Sequence, residues 1–190
     1  MMKSEMCVES VLPKLKPRAS QLEKVAQERL LAYKMFSAAF NYPNDTLLGF
    51  FTEENKEKLL PEYDSLFRTS EIWLYTVEYL AENEFQRTSF LADISGFYRA
   101  FGLETNSDRP DSVSGELEFM HFLIFKLLRA RENKTPENNG EKAGVCSQAL
   151  ENFFSQHLYP EIKKIAGEII NQTENTFYRE TAGELLGFIE

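Results

Sequence analysis

Between Val113 and Arg131 the chain reads VSGELEFMHFLIFKLLRAR. Val113, Leu117, Met120, Ile124 and Leu127 recur at steps of three and four and fall on one helical stripe. Phe119, Phe122, Leu123 and Leu128 widen that stripe until little of the circumference is polar. A helix apolar nearly all round belongs at the centre of a bundle, covered by other elements. Glu116 and Glu118 lie near its positive N-terminal end, and Lys126, Arg129 and Arg131 near its negative end. Pro110 favours an extended entry, and Asp111 or Ser112 can cap the first turn.

The rest of the chain supplies helices to surround it. Leu22, Ala26, Leu30, Tyr33, Phe36 and Phe40 share one helical face, with Ser20 and Glu23 in capping-box spacing and Pro43 closing the region. Residues 44–68 read as short helices broken near Asn55 and Pro61. Ser70 to Leu80 reads as a further amphipathic segment and holds the single tryptophan, Trp73. Leu91, Ile94, Tyr98 and Phe101 form a stripe stopped by Gly102. ETNSDRPDS follows as a polar loop, and ENKTPENNGEKAG as an exposed one. Leu150, Phe153, Phe154, His157 and Leu158 precede a break at Pro160. Ile162, Ile165, Ala166 and Ile169 mark one more helix, and Tyr178, Ala182, Leu185 and Ile189 the last. Alternating strand patterns and hairpin turns are absent from the sequence. The expectation is an all-α fold, a single globular bundle of roughly eight or more helices.

Residues 1–19 mix charge, prolines and small polar residues, and read as a flexible tail dispensable for folding. Residues 20–190 read as one domain. Apolar residues make up 43% of the 190-residue chain, enough for a real core, and the formal net charge is -9. That balance argues against nucleic acid, whose backbone needs clustered Lys and Arg, and suits basic peptides. Cys7 and Cys146 form no close pair, which points to a reducing compartment. With neither a secretory signal pattern nor an apolar run of membrane-spanning length, the chain is expected in the cytoplasm without membrane insertion.

Chemical motifs are sparse. Glu118 and His121 have the Glu-x-x-His spacing of helical metal ligands, but a di-iron site needs a second such pair and two more carboxylates. The other histidine, His157, has Phe154 at the matching position. His121 is therefore expected to be a partly buried residue hydrogen-bonded nearby, and no metal or cofactor is expected. Phosphate-binding loops and nucleophile elbows are also missing.

The stretch FYRAFGLETNSDRPDSVSGELEFMHFLIFKL resembles the TorD/DmsD/NarJ family of redox-enzyme maturation chaperones. Phe97, Tyr98, Gly102 and Leu103 match the aromatic-rich helix ending in Gly-Leu. Pro110, Asp111, Glu116, Leu117, Glu118, Phe119 and Met120 match the motif after the loop. The family's Asp-His pair stands here as Asp111-Ser112. The likeness extends from about Ser20 to the end of the chain, through NYP, FFSQHLYPEIKKIAGEI and TFYRETAGELLGFI.

The resemblance implies a non-enzymatic chaperone. Its partner would be the apo form of a molybdopterin oxidoreductase subunit of the dimethyl-sulfoxide-reductase class. The chaperone would grip it through its leader, its body or both, and hold it for cofactor insertion, in many relatives before twin-arginine export. Relatives are similar in existing as monomers or helix-exchanged dimers. The client-peptide candidates are Asp111, Ser112, Glu116 and Glu118, with Trp73 and Tyr98 as aromatic members. Carboxylates would meet guanidinium groups, and apolar side chains the leader's apolar segment. Two other readings are a helical metal protein or enzyme built on Glu118 and His121, and an adaptor for another amphipathic helix.

Overall fold

The computed structural model describes residues 21–49, 53–105, 108–132 and 140–190. Seven helices of twelve residues or more make up the described fold: α1 (Gln21–Ala39), α3 (Glu53–Asp64), α5 (Glu84–Ala100), α6 (Val113–Glu132), α7 (Glu141–Phe153), α8 (Tyr159–Gln172) and α9 (Thr176–Ile189). Two single-turn helices, α2 (Asp45–Leu48) and α4 (Val77–Leu80), complete the set. The class is all-α, with seven long helices where roughly eight or more were expected. Ser20 and the tail of residues 1–19 lie outside the described residues.

The central helix is α6. It packs chiefly against α1 and α7. Val113, Leu117, Phe119, Met120, Leu123, Ile124 and Leu127 are all buried. Burial on this scale needs neighbours with apolar faces of their own. On α1 these are Tyr33 and Phe36, with Phe40 just after it, and on α5 Ile94 and Tyr98. The chain's close supplies Ile162, Ile165, Ala166 and Ile169 on α8 and Tyr178, Ala182, Leu185 and Ile189 on α9, every one buried. Aromatic rings lock the layers edge to face. Phe119 meets Phe153 at 4.8 Å and Tyr98 at 4.7 Å between centroids, geometry that favours the ring quadrupoles.

Three local expectations change. Asn55 and Pro61 lie inside α3 rather than breaking it. An interior proline costs about 3 kcal/mol in an isolated helix. Here Leu59 before it, and Leu66 and Phe67 in the π-helical turn after it, are buried and hold the segment on the core. Next, Ser70–Leu80 is an extended run ending in the single turn of α4, not an amphipathic helix. Before that turn its backbone bonds reach across the molecule. Val113 N donates to Leu74 O at 3.0 Å, and Thr76 N to Asp111 O at 3.0 Å. Tyr75 and Ser112 thereby form an isolated antiparallel bridge. Finally, Glu141–Gly144, expected in an exposed loop, open α7. Gly140 just before them takes the left-handed conformation at φ 82°, which side chains disfavour. Gly102 stops α5 as expected, at φ 74°.

Leu117 is fully buried at the centre of this arrangement. Leu117→Ala should lower unfolding free energy by about 2–5 kcal/mol in denaturant titrations, with a cavity contribution that depends on how far the core relaxes.

Candidate functional site: a groove at the start of the central helix

The N-terminal end of α6 carries polar groups into the interior, and all but one oxygen of Glu116 have a built answer. Ser112 Oγ accepts from Gly115 N at 3.2 Å and caps the helix. A Cβ at position 115 would stand 2.7 Å from that oxygen, so glycine leaves room for the cap. Asp111 is wholly buried. Arg109 reaches it with two nitrogens, Nε to Oδ1 at 2.9 Å and a terminal nitrogen to Oδ2 at 2.8 Å. Val77 N also donates to Oδ2, at 3.3 Å. Arg109 further pairs with Glu78 at 2.8 Å and lies 3.9 Å over the Tyr75 ring. Tyr98 OH donates to Pro110 O at 2.9 Å. The loop entering α6 is thus fastened to α5 and to residues 74–77, bidentate guanidinium–carboxylate contact being the strongest of these ties.

Glu116 is also wholly buried, and its Oε1 accepts from Thr76 Oγ1 at 2.8 Å. Its Oε2 has no partner among the described residues. Burial pushes its carboxyl well above the ordinary 4.5; the Thr76 hydroxyl opposes that shift, and the nearby Asp111 and Glu161 carboxylates add to it.

A groove of about 810 Å³ opens above this floor. The C-terminal half of α1 and the start of α6 form one side, with Lys34, Ser114 and Glu118. Tyr42, Tyr63 and Phe67 give an aromatic wall, their rings meeting edge to face at 5.2 and 4.9 Å. The bridged pair Tyr75 and Ser112 also lines it. Arg68 sits 4.6 Å over the Tyr42 ring and pairs with Asp64 at 3.0 Å. At the rim, Lys34 Nζ donates to Glu118 Oε1 at 2.6 Å, both side chains about half exposed.

The six candidates therefore separate. Ser112 and Glu118 line the groove. Asp111, Glu116 and Tyr98 are buried and act on the loop and its floor. Trp73 is 52% exposed, and its backbone N–H bonds Tyr79 OH at 3.1 Å. Glu118 and His121 do not converge: His121 Nδ1 meets Leu30 O at 2.8 Å while Glu118 turns to Lys34. Among the described residues no three His, Cys, Asp or Glu side chains cluster as a metal site, and no helix is long and apolar enough to cross a membrane. Sequence reasoning missed Arg109, Thr76 and the Tyr42–Tyr63–Phe67 wall. Thr76 follows an Ile-Trp-Leu-Tyr run whose side chains alternate between buried and less buried in the fold, but all four are apolar, so the sequence itself carries no period-two signal there.

A family model described as "Nitrate reductase delta subunit" matches residues 34–164, more than half of the chain and every residue of the groove. The chain belongs to the nitrate reductase delta subunit family. The match bears out the resemblance to the TorD/DmsD/NarJ chaperones carried by the central motif. One curated relative, the "Perchlorate reductase assembly chaperone protein" of Dechloromonas aromatica (strain RCB), is 27% identical over 95 residues, 48% of this chain. The match spans 40% of that relative's length. No solved structure matches significantly. In this delta-family chain Asp111 and Glu116 are buried behind the groove, while the Lys34–Glu118 pair lies exposed at its rim.

Glu116 yields a signed pH dependence. In the unfolded chain its carboxyl titrates near 4.5, and in the folded chain it keeps its proton to higher pH. Unfolding then releases a proton above that value, so stability falls as pH rises through the window. Glu116→Gln has no such proton. Melting temperatures taken from about pH 5 to about pH 8 should fall less for Glu116→Gln than for the native chain; parallel curves would contradict the assignment.

Proposed function

We propose that the protein is an assembly chaperone, without catalysis of its own, for a molybdopterin oxidoreductase subunit of the dimethyl-sulfoxide-reductase class. It would bind the apo-subunit through its leader and hold it in the cytoplasm for cofactor insertion. The observation that carries this reading is the family match over the segment that builds the groove. The assembly-chaperone name of the perchlorate-reductase relative supports it.

The groove's chemistry fits a leader that joins cations to apolar side chains. Tyr42, Tyr63 and Phe67 offer ring faces and edges for apolar side chains. The Lys34–Glu118 pair is exposed, and such pairs contribute about 0–1 kcal/mol. An incoming guanidinium can displace the Lys34 ammonium at little cost and engage Glu118 with two parallel bonds. Buried Asp111 and Glu116 serve this indirectly, by holding Ser112 and Tyr75 against the groove.

Co-purification of the chain with an oxidoreductase precursor, with and without its leader, tests the proposal. Precursor retained and leaderless subunit lost or weakened is the expected result. Retention of neither would sink it. At the rim, Glu118→Lys should weaken leader binding at least about tenfold, or about 1.4 kcal/mol, while stability moves by less than about 1 kcal/mol. Lys34→Ala should leave affinity unchanged or improve it, because it frees Glu118. Loss of affinity in Lys34→Ala would show that the ammonium itself makes the contact.

A further inference from the structure

A second groove runs along the opposite flank of α1, between α1 and α9. It measures about 560 Å³ and is lined by Met35, Ala38, Leu47 and Phe177, with Glu180 and Glu184 on its α9 edge. Ala38 and Leu47 line the first groove as well, so the two adjoin near the end of α1. Met35 is 70% exposed and Leu31, one turn before it, 60%. Exposed large apolar side chains spaced one turn apart on a helix form a stripe that no other described residue covers. Methionine adapts its shape to varied apolar partners.

The charges on the rim select what can cover the stripe. Glu180 and Glu184 are both exposed, one helical turn apart, and neither has an ion-pair partner among the described residues. In the first groove, by contrast, Glu118 is paired with Lys34 and Arg68 with Asp64. Free carboxylates beside apolar surface disfavour an acidic or purely apolar occupant and attract cations.

We propose that the α1–α9 groove is a docking site for a cationic amphipathic helix of the partner protein, its apolar face against Met35, Ala38 and Phe177 and two Lys or Arg residues one turn apart on Glu180 and Glu184. This rests on the chaperone reading and assigns it a second contact surface, beyond the groove at the start of α6. An apolar helix face buried in a groove is a recurrent mode of peptide recognition.

The test uses two synthetic amphipathic peptides of about 18 residues, roughly five helical turns. They share leucine positions, and one carries lysine where the other carries glutamate. Affinities are measured at about 0.15 M salt, where charges beyond about 8 Å are screened. The full native chain should prefer the lysine peptide by at least about tenfold. Glu180→Lys combined with Glu184→Lys should reverse that preference, and Met35→Asp should weaken both peptides. Glu180→Gln with Glu184→Gln, a gentler change at exposed positions, should abolish the preference without reversing it. An unchanged preference in the charge-reversed chain overturns the proposal. So does tighter binding of a peptide of residues 1–20 than of the lysine peptide, which would make the chain's own segment the occupant. A concentration-dependent dimer abolished by Met35→Asp would overturn it in favour of a second copy. Precursor capture separates the two claims. A native chain that binds precursor while ignoring the lysine peptide sinks the α1–α9 site alone. A native chain that binds no precursor sinks the chaperone reading.

Discussion

The burial of α6 governs the molecule. Each large apolar side chain moved from water to the core contributes about 1.5–3 kcal/mol, and this helix supplies Leu117, Phe119, Met120, Leu123, Ile124 and Leu127 together. A helix so covered cannot leave its N-terminal groups in water. Its entry loop must satisfy buried polar atoms, each costing about 1–3 kcal/mol if abandoned. Asp111, Ser112, Thr76 and the Tyr98 hydroxyl meet that demand, so the residues that anchor the core also shape the surface above it.

The connection between residues 74–77 and 110–113 is where core and groove join. The short bridge sets Tyr75 beside Ser112 at the groove while Leu74 and Val77 point into the core. Arg109 ties both segments through Asp111 and Glu78 and stacks on Tyr75. Its attachment is largely buried at one end and partly wet at the other. Change in this loop therefore reaches the groove through Tyr75 and Ser112, without any direct contact between Asp111 and a ligand. Around the same α1, the inward face feeds the core, one flank faces the first groove and the other the second.

Long periodic segments were legible from the sequence because their periodicity is the packing. The stripes of α6, α8 and α9 name nearly the same residues that the core buries, and those of α1 and α5 do so at Tyr33, Phe36, Ile94 and Tyr98. Local reasoning failed where tertiary bonds replaced local ones. Ser70–Leu80 carries apolar residues that fit a helix or a strand, and the partner that decided the matter, residues 110–113, lies more than thirty positions away. Pro61 announced a break that burial on both sides overrode. At the site, charge identified the motif's polar members, yet only Ser112 and Glu118 line the groove. Carboxylates at a helix start can turn inward to caps and guanidinium or outward to solvent, and the spacing alone does not distinguish those fates.

The central claim is that a client segment lies in the grooves flanking α1, above the fastened entry to α6. Hydrogen–deuterium exchange of the full chain, alone and with an oxidoreductase precursor, tests it most directly. Protection on binding should concentrate in the C-terminal half of α1, in residues 72–76 and in residues 112–118. Protection confined to the far end of α6 and the start of α7, with the α1 grooves unchanged, would contradict the account.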